Sequence, residues 1–198
     1  NAVDISVSPS HNIEIENYID KDIYNFVSIS SVVFAKWVDQ IPKFLRKLKE
    51  KNIPFRWIII GRRNSYSYIL KENIEKYGIQ SETYLHETGI PKSEIYGLLS
   101  KTDFYIMFHR YSIFDLATLE AMYLWNIPVL SNVWGNKEVV LDNNGVLFAE
   151  NEFDNVERFI RFLDKYPKEE LREKNKKVVE NSFSDSVFIQ RYYDLIND

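Results

Sequence analysis

The sequence predicts an α/β protein with a Rossmann-like, doubly wound parallel sheet of about six strands and extra helices at its C-terminal end. Short β-rich runs alternate with helical patterns of roughly 10–15 residues, which is typical of β–α–β units. Residues 57–60 and 104–108 are apolar without interruption, as expected of strands covered on both faces. After residue 150 only helical patterns follow, and we expect these helices to pack on the sheet.

The predicted elements follow one another in a regular order. We expect strands at residues 25–30, 56–61, 83–86, 104–109, 128–133 and 145–148. Helices are expected at residues 36–51, 66–77, 92–101, 113–125, 136–141, 152–165, 167–181 and 185–197. Residues 1–24 mix polar and short apolar stretches and are interpreted as a linker, which leaves residues 25–198 as one domain.

The composition argues against several classes of function. Cysteine is absent, and the three histidines, at positions 11, 86 and 109, show no metal-ligand spacing, so we expect no metal site. The net charge of −4 argues against a nucleic-acid partner. No apolar run approaches the roughly 20 residues that span a bilayer, and no secretory signal is visible. We expect a cytoplasmic protein, and since the chain lacks an initial Met, a part of a longer one.

The predicted helix at 113–125 contains one isolated charge. After Asp115 the only charged residue is Glu120, among residues that are otherwise apolar or nearly so. A helix that is apolar on all sides is expected to be buried, and a buried carboxylate without a partner is costly. Glu120 therefore needs a partner, either a protein donor such as a backbone amide or a tyrosine, or a ligand.

Cationic residues collect where the predicted strands end, although the chain as a whole is acidic. Lys36 follows the first strand, Arg62 and Arg63 follow the second, and His109 and Arg110 follow the fourth. Ligands of open parallel sheets bind at the carboxyl ends of the strands, so this pattern indicates an anionic ligand such as a phosphate. Taken singly, such a lysine is more commonly solvated and such a histidine more commonly structural.

Ser112 and Asp115 have the spacing of a capping box, with serine at the N-cap and an acidic residue three positions later. In the structural interpretation this pair only caps a helix. In the functional interpretation the capped helix start also presents backbone amides that bind a phosphate. The second interpretation requires the cap to turn the Asp115 carboxylate away from the ligand.

Six segments resemble, in order and spacing, the C-terminal domain of group 1 glycosyltransferases, a large retaining family with the GT-B fold. Residues 108–122 contain two of the six, similar to the family's strand end followed by Glu-Gly-Phe-Gly and to its Glu-Ala-Met. The other matching segments are similar to its Gly-x-Pro-Val-x-x-Ser, Gly-x-x-Glu, Gly-x-Leu and Phe-Ser-Trp patterns, at residues 126–131, 135–138, 144–148 and 182–193. The resemblance covers about residues 25–197.

The resemblance implies a role for each matching position. Lys36 matches the lysine that contacts the donor diphosphate, which makes it the expected catalytic residue. Glu120 matches the carboxylate that holds the ribose hydroxyls, and Ile90 lies where the family packs on the nucleobase. The amides of Phe114, Asp115 and Leu116 would face the diphosphate. Arg62, His109 and Arg110 join the expected donor-binding residues because they follow strand ends, and Ser31 and Ser112 join them because they stand at family binding positions. The resemblance implies no metal cofactor and a nucleotide sugar, such as a UDP- or GDP-sugar, as substrate.

Several positions depart from the family pattern. Ser112 stands where the first glutamate of the pair is usual, and Ser31 stands where an arginine partners the lysine. Ile113 and Asp115 replace the two glycines of the helix start. The ribose site is therefore expected to be retained and the sugar and diphosphate sites altered. The alternatives for the missing cation are Arg62, Arg63 and Arg110.

The resemblance implies that the full protein transfers a sugar from a nucleotide-diphosphate sugar to a glycan or a lipid-linked polysaccharide precursor, with retention. The acceptor site would belong to an N-terminal domain absent here, so we expect this fragment alone to be inactive. Contact with the inner membrane surface would come through that part or through the acceptor. The competing interpretation is a degenerate, non-catalytic binding or partner module, which Ser31 and Ser112 favour. A dehydrogenase is disfavoured because no Gly-x-Gly-x-x-Gly follows the first strand.

Overall fold

The six predicted strands form one sheet in which all strands are parallel. The computed structural model describes residues 3, 6, 8–113, 115–141 and 143–197. The sheet has the order β3-β2-β1-β4-β5-β6, with strands β1 (Tyr24–Ile29), β2 (Phe55–Ile60), β3 (Thr83–His86), β4 (Phe104–Met107), β5 (Ile127–Ser131) and β6 (Val146–Phe148). The predicted Rossmann-like α/β fold is confirmed, and each strand lies within two residues of its predicted bounds.

The centre of the sheet is buried on both faces, which explains the uninterrupted apolar runs. Every residue of β4 and β5 is buried. In the register of the sheet, Phe26 of β1 pairs with Trp57 of β2 on one side and with Phe104 of β4 on the other. The Phe26 and Phe104 rings stack with centroids 5.0 Å apart. This aromatic centre fixes the relative position of β1 and β4, the two strands that border the site described below.

Helices cover both faces of the sheet. They are α1 (Ile13–Glu16), α2 (Ile41–Glu50), α3 (Ser67–Lys76), α4 (Lys92–Leu99), α5 (Leu116–Tyr123), α6 (Trp134–Val139), α7 (Val156–Lys165), α8 (Lys168–Ser182) and α9 (Asp185–Asn197). Right-handed crossovers place α2 and α3 on one face and α4 and α5 on the other. None of the helices in the described part of the chain combines the length and apolarity that a bilayer crossing requires.

The C-terminal helices extend this arrangement. α7 packs on α2, and α8 packs on α5 and β5, with Phe159 and Val179 fully buried. The expectation that the last helices join the body of the sheet is thus met by α7 and α8. α9 contacts α8 and leaves large apolar side chains in solvent, among them Phe188, Leu195 and Ile196.

The described part of residues 1–24 is packed on the domain. Ile15 of α1 is buried in the main core. The Ser10 amide donates to the Ser93 carbonyl at 2.9 Å, and the Ser10 carbonyl lies directly against Gly97 of α4, where no side chain would fit. The predicted linker therefore contains a short helix that is held against α4.

The chain between β1 and α2 is less helical than predicted. Two 3₁₀ turns, Phe34–Lys36 and Val38–Gln40, precede α2. Between them Trp37 has a left-handed backbone with φ 36°. α2 begins at Ile41 with Pro42 in its first turn, a position that proline favours because it has no amide hydrogen to leave unbonded. As a result Lys36 ends a short 3₁₀ turn at the end of the sheet and does not lie on α2.

Candidate functional site

The candidate site lies at the carboxyl ends of β1 and β4. The strand order reverses between these two neighbours, since β1 leads outward to β2 and β3 whereas β4 leads to β5 and β6. Loops that leave adjacent strands in opposite directions open a crevice between them, and open α/β sheets bind ligands there. The loop that follows β1 carries Lys36, and the loop that follows β4 carries His109 and Asp115.

The predicted residues Lys36, His109 and Asp115 meet in this crevice. The Lys36 Nζ atom lies 3.2 Å from Asp115 Oδ1 and 3.1 Å from His109 Nε2. Asp115 Oδ2 accepts hydrogen bonds from the Thr118 hydroxyl at 2.7 Å and from the Tyr105 hydroxyl at 3.3 Å. The Asp115 side chain is 12% exposed, and that of Lys36 is 31% exposed. The site thus contains an ion pair that is partly shielded from water.

The predicted capping box between Ser112 and Asp115 is wrong. α5 begins at Leu116 and has Asp115 at its N-cap, so the helix starts three residues later than predicted. Ser112 precedes the helix, and its hydroxyl makes no hydrogen bond within the described part of the chain. The physical reason is that the Asp115 carboxylate bonds the Lys36 ammonium and the Thr118 hydroxyl and does not turn back to the Ser112 amide as a capping box requires.

The charges of this cluster depend on one another. Burial disfavours the charged form of Asp115, but the Lys36 ammonium and the Thr118 hydroxyl outweigh it and lower the pKa of this carboxyl. Burial, together with the Lys36 charge, lowers the pKa of His109 to about 4. His109 is therefore neutral near pH 7. Its Nε2 atom faces the Lys36 ammonium, so we assign the ring proton to Nδ1, which has no hydrogen-bond partner among the described residues.

Acid is expected to destabilise the fold through His109. Its pKa is near 6.5 in an unfolded chain and about 4 here, so between these values the unfolded state binds more protons and stability falls as the pH falls. The loss should reach about 3 kcal/mol by pH 4. Urea unfolding across this range measures it, and His109→Asn should flatten the pH dependence whereas His86→Asn should not. An NMR titration that finds the His109 ring protonated near pH 6.5 would contradict the assignment.

Glu120 lies on α5 and has protein partners. Its Oε1 atom accepts from the Lys92 ammonium at 3.0 Å and from the Tyr96 hydroxyl at 3.2 Å, both on α4. Burial and the Glu120 charge raise the pKa of Tyr96 to about 12. Both contacts use Oε1, and Oε2 makes no hydrogen bond within the described residues. The helix was expected to be buried all round, yet Leu116 is 40% exposed and the Glu120 side chain 18%.

Arg110 follows β4 and contacts the loop that carries Lys36, since its amide donates to the Ala35 carbonyl at 3.0 Å. Its guanidinium stacks over the rings of Phe34 and Trp37, at 3.8 and 4.4 Å from the ring centroids. Its Nε atom donates to the Phe34 carbonyl at 3.0 Å. These contacts hold the cation on the loop that carries Lys36.

The remaining predicted positions are more scattered. Ser31 and Arg62 are exposed, and Ser31 follows the close contact of the Ser30 carbonyl with Gly61 at the end of β2. Ile90 is half-buried against the core. Phe114 lies outside the described residues. In the described part of the chain, no group of three or more acidic, histidine or cysteine side chains has a geometry that would hold a metal ion.

Several residues of the site were missed by the sequence interpretation. Tyr105 was taken as a core residue of β4, since its neighbours are all apolar and nothing marked its hydroxyl. Lys92 and Tyr96 did carry a signal, because residues four apart on a helix share a face. Ser131 was also missed. Its hydroxyl accepts a hydrogen bond from the His109 amide at 2.7 Å and donates one to the His109 carbonyl at 2.9 Å, which holds the His109 backbone in place.

A comparison with protein families shows which family the chain belongs to. The model of glycosyl transferases group 1 matches residues 10–184. The chain belongs to this family. Within it, the chain is a C-terminal, Rossmann-like domain of the GT-B fold. A comparison with curated proteins finds no match.

Solved structures of glycosyltransferases have the same fold at low sequence identity. The C-terminal domain of a group 1 protein, LpcC, from Francisella tularensis has a TM-score of 0.69 and 17% identity over 90% of this chain and 96% of its own. Sucrose-phosphate synthase from Thermosynechococcus elongatus has a TM-score of 0.78 and 14% identity. TarM from S. aureus, in complex with Fondaparinux, alpha-GlcNAc-glycerol and UDP, has a TM-score of 0.75 and 20% identity.

This group 1 domain is shorter than two of those structures. It is matched over 99% and 100% of its own length, yet it spans 51% of the sucrose-phosphate synthase and 38% of TarM. These structures therefore contain substantial parts that have no counterpart in this chain.

Proposed function

We propose that this chain is the donor-binding half of a retaining glycosyltransferase, which transfers a sugar from a nucleotide-diphosphate sugar to an acceptor. The observation that carries the proposal is the position of Lys36, whose ammonium lies at the switch point next to the start of α5. A diphosphate placed there gains from the lysine charge and from the amides of Asp115 and Leu116. Because negative charge grows on the leaving diphosphate during transfer, fixed positive charge at this position lowers the barrier.

Asp115 competes with the diphosphate for Lys36. Its carboxylate already bonds the ammonium, and two anions held by one cation repel each other. Binding therefore requires Lys36 to exchange Asp115 for a phosphate oxygen. The Thr118 and Tyr105 hydroxyls remain to hold the released carboxylate, so the exchange leaves Asp115 hydrogen-bonded.

The ribose of the donor is proposed to bind Glu120. The Oε2 atom, which has no bond in the described residues, is available to a ribose hydroxyl while Oε1 stays bonded to Lys92 and Tyr96. The two α4 residues then hold the carboxylate in place. The protein and ligand explanations of this isolated charge are thus compatible, because one carboxylate accepts several hydrogen bonds.

The proposed partners follow from the length of the chain and its neighbours. The TarM structure contains UDP and alpha-GlcNAc-glycerol, and we propose the corresponding classes here: a nucleotide sugar such as a UDP- or GDP-sugar, without a metal cofactor, and a glycan or lipid-linked polysaccharide precursor. An N-terminal domain would supply the acceptor site and cover the apolar side chains of α9. Such a protein works in the cytoplasm, at the inner membrane surface if the acceptor is lipid-linked, and the isolated domain is inactive.

A non-catalytic binding module is the second candidate. The observation that favours it is the Lys36–Asp115 ion pair, since the proposed diphosphate position is occupied by a carboxylate of the chain itself. The exposed Ser31 adds no cation to offset it. Turnover separates the two candidates: full-length protein that binds nucleotide sugars but neither hydrolyses nor transfers them would support the module.

The first test is binding. Thermal shifts with UDP-, GDP-, ADP- and dTDP-sugars should show stabilisation by one nucleotide class, because a ligand that binds only the folded state raises its stability. No shift with any of them, confirmed by calorimetry, would contradict donor binding. The best ligand of this panel is then the probe for the variants below.

Glu120→Gln is expected to weaken binding of that nucleotide by roughly 1–3 kcal/mol, because a charged hydrogen-bond acceptor is lost. The ribose assignment makes a sharper prediction: the 2′,3′-dideoxy nucleotide should bind the wild type and the variant equally. Calorimetry measures both, and Glu72→Gln, an exposed change on α3, is the matched control. Unchanged affinity of the ribonucleotide in a folded Glu120→Gln variant would rule out the assignment.

A further inference from the structure

A second hollow opens next to the Lys36 crevice, between the loops that follow β4 and β5. Its volume is about 520 Å³, and its lining includes Arg110, Ser112, Asn132, Trp134 and Lys137. Because β4 and β5 are neighbours in the sheet, this hollow lies at the same carboxyl edge as the proposed donor site. Its position alone makes it a candidate for the sugar end of a ligand.

The charged residues that line the hollow are all cationic. Arg110 and Lys137 line it and no carboxylate does, in a chain whose net charge is −4. Lys137 is exposed and has no ion pair or hydrogen bond within the described residues. Of the nearest acidic residues along the chain, Asp115 bonds Lys36. Glu138 lines a smaller adjoining hollow, which shares Ile113, Trp134 and Lys137 with this one, but it does not line this hollow itself.

Arg110 is held in position before any ligand arrives. Its guanidinium lies over the rings of Phe34 and Trp37, and its Nε atom donates to the Phe34 carbonyl. A guanidinium has five N–H donors, so these contacts leave donors for a carboxylate or phosphate. A cation that is already immobilised loses little side-chain entropy on binding an anion.

The rim of the hollow is apolar and unusually exposed. Trp134 is 85% exposed and Ile113 is 91% exposed, and both line the hollow. The C–H face of a pyranose ring packs well on such a surface, while its hydroxyls reach polar groups such as Ser112 and Asn132. The Ser112 hydroxyl and the side-chain amide of Asn132 make no hydrogen bonds within the described part of the chain, so both can bond a sugar hydroxyl.

We propose that this hollow binds a sugar ring that carries an anionic group, a carboxylate or a phosphate. The ring packs on Trp134, and its anionic group pairs with Arg110 and Lys137. The ring is the transferred sugar or the acceptor sugar of the proposed function, on which this assignment of substrate class rests. A neutral hexose would make the same stacking contact and leave both cations without a partner.

The experiment uses the indole N–H signals of the ¹⁵N-labelled protein, with that of Trp134 assigned from the Trp134→Phe variant. Titration with D-glucuronate or glucose 6-phosphate at millimolar concentrations should shift the Trp134 signal, and glucose at the same concentrations should shift it far less. Lys137→Gln should lower the affinity for the anionic sugars about tenfold, as expected for the loss of one charged hydrogen bond. Lys177→Gln, an exposed lysine on α8, should have no effect.

Equal shifts with glucose and glucuronate, no shift with either, or equal affinities of the two lysine variants would overturn the proposal. Titrations with nucleotide sugars distinguish the two possible sources of the ring, the donor sugar and the acceptor sugar. A uronic-acid nucleotide that binds more tightly than its neutral counterpart, with the difference lost in Lys137→Gln, identifies the donor sugar. Glucuronate that binds together with a neutral nucleotide sugar identifies the acceptor.

Failure of this proposal is distinct from failure of the proposed function. If nucleotides bind and anionic sugars do not, donor binding stands and the anionic-sugar assignment is wrong. If glucuronate shifts the Trp134 indole signal but no nucleotide binds, the hollow binds anionic sugars as proposed and the donor-binding function is wrong.

Discussion

Replacing Lys36 with alanine is expected to weaken the binding of a nucleoside diphosphate about 10- to 100-fold, while the bare nucleoside binds as before. The Lys36 ammonium lies in the switch-point crevice, 3.2 Å from Asp115 Oδ1. It is the cation that a diphosphate would meet together with the start of α5. Calorimetric titration with the two ligands measures the difference directly.

The control for this prediction must separate ligand binding from folding. Lys36→Ala leaves the Asp115 carboxylate, which is 12% exposed, without its ammonium, and breaking a shielded ion pair is destabilising. Nucleoside binding to the variant therefore serves as the internal measure of an intact site, and Lys177→Ala serves as the matched lysine change. If the nucleoside and the diphosphate lose affinity equally, Lys36 does not contact the phosphates.

Asp115→Asn should have the opposite effect on the same ligand. Without the negative charge, Lys36 is free to bind a phosphate oxygen, and the repulsion between Asp115 and the diphosphate is removed. The asparagine side chain can still accept from Thr118. Weaker diphosphate binding by a folded Asp115→Asn variant would show that Asp115 assists the ligand and does not compete with it.

The second large effect is expected from Gly61→Ala, which should lower the free energy of unfolding by about 3 kcal/mol. A Cβ atom on Gly61 would lie 2.1 Å from the Ser30 carbonyl oxygen. The Ser30 oxygen belongs to the backbone at the end of β1, and the Cβ atom would be fixed to the backbone at the end of β2. Neither can move without bending the centre of the sheet. Urea unfolding monitored by circular dichroism measures the change.

Gly89→Ala is the matched control for this substitution. A Cβ atom there would meet the Arg62 side chain at 3.4 Å, and a flexible side chain can move aside. We expect Gly89→Ala to change stability by less than about 1 kcal/mol. Similar stabilities of the two alanine variants would mean that the β1 and β2 ends separate easily. Gly61→Ala should also shift the loop that carries Lys36 and so weaken diphosphate binding.

Much of the fold was readable from local patterns. The apolar runs of β2 and β4 predicted buried strands because a strand covered on both faces needs apolar residues at every position. Their alternation with helices predicted the parallel sheet, and the sheet in turn predicted that Lys36 and His109 lie at one edge. The resemblance of six segments to group 1 glycosyltransferases indicated the family, which the match over residues 10–184 shows.

Other features needed the three-dimensional structure. The spacing of Ser112 and Asp115 predicted a capping box, but an ammonium 79 positions away in the chain attracts the carboxylate instead. Local spacing contains no information on such a contact, since it arises only when β1 and β4 become neighbours. In the same way, the partners of Glu120 on α4 and the pairing of Arg110 with Trp37 depend on how helices and loops pack.

The sequence by itself therefore determined the fold class, the approximate strand bounds and the edge of the sheet at which chemistry is expected, because hydrophobic periodicity and strand ends are local properties. Only the tertiary structure decided which charges meet. It paired Lys36 with Asp115, bonded Glu120 to Lys92 and Tyr96, and left Lys137 without a partner in the described part of the chain. Such pairings depend on distances and burial between segments far apart in sequence, and they set the charge that a ligand encounters.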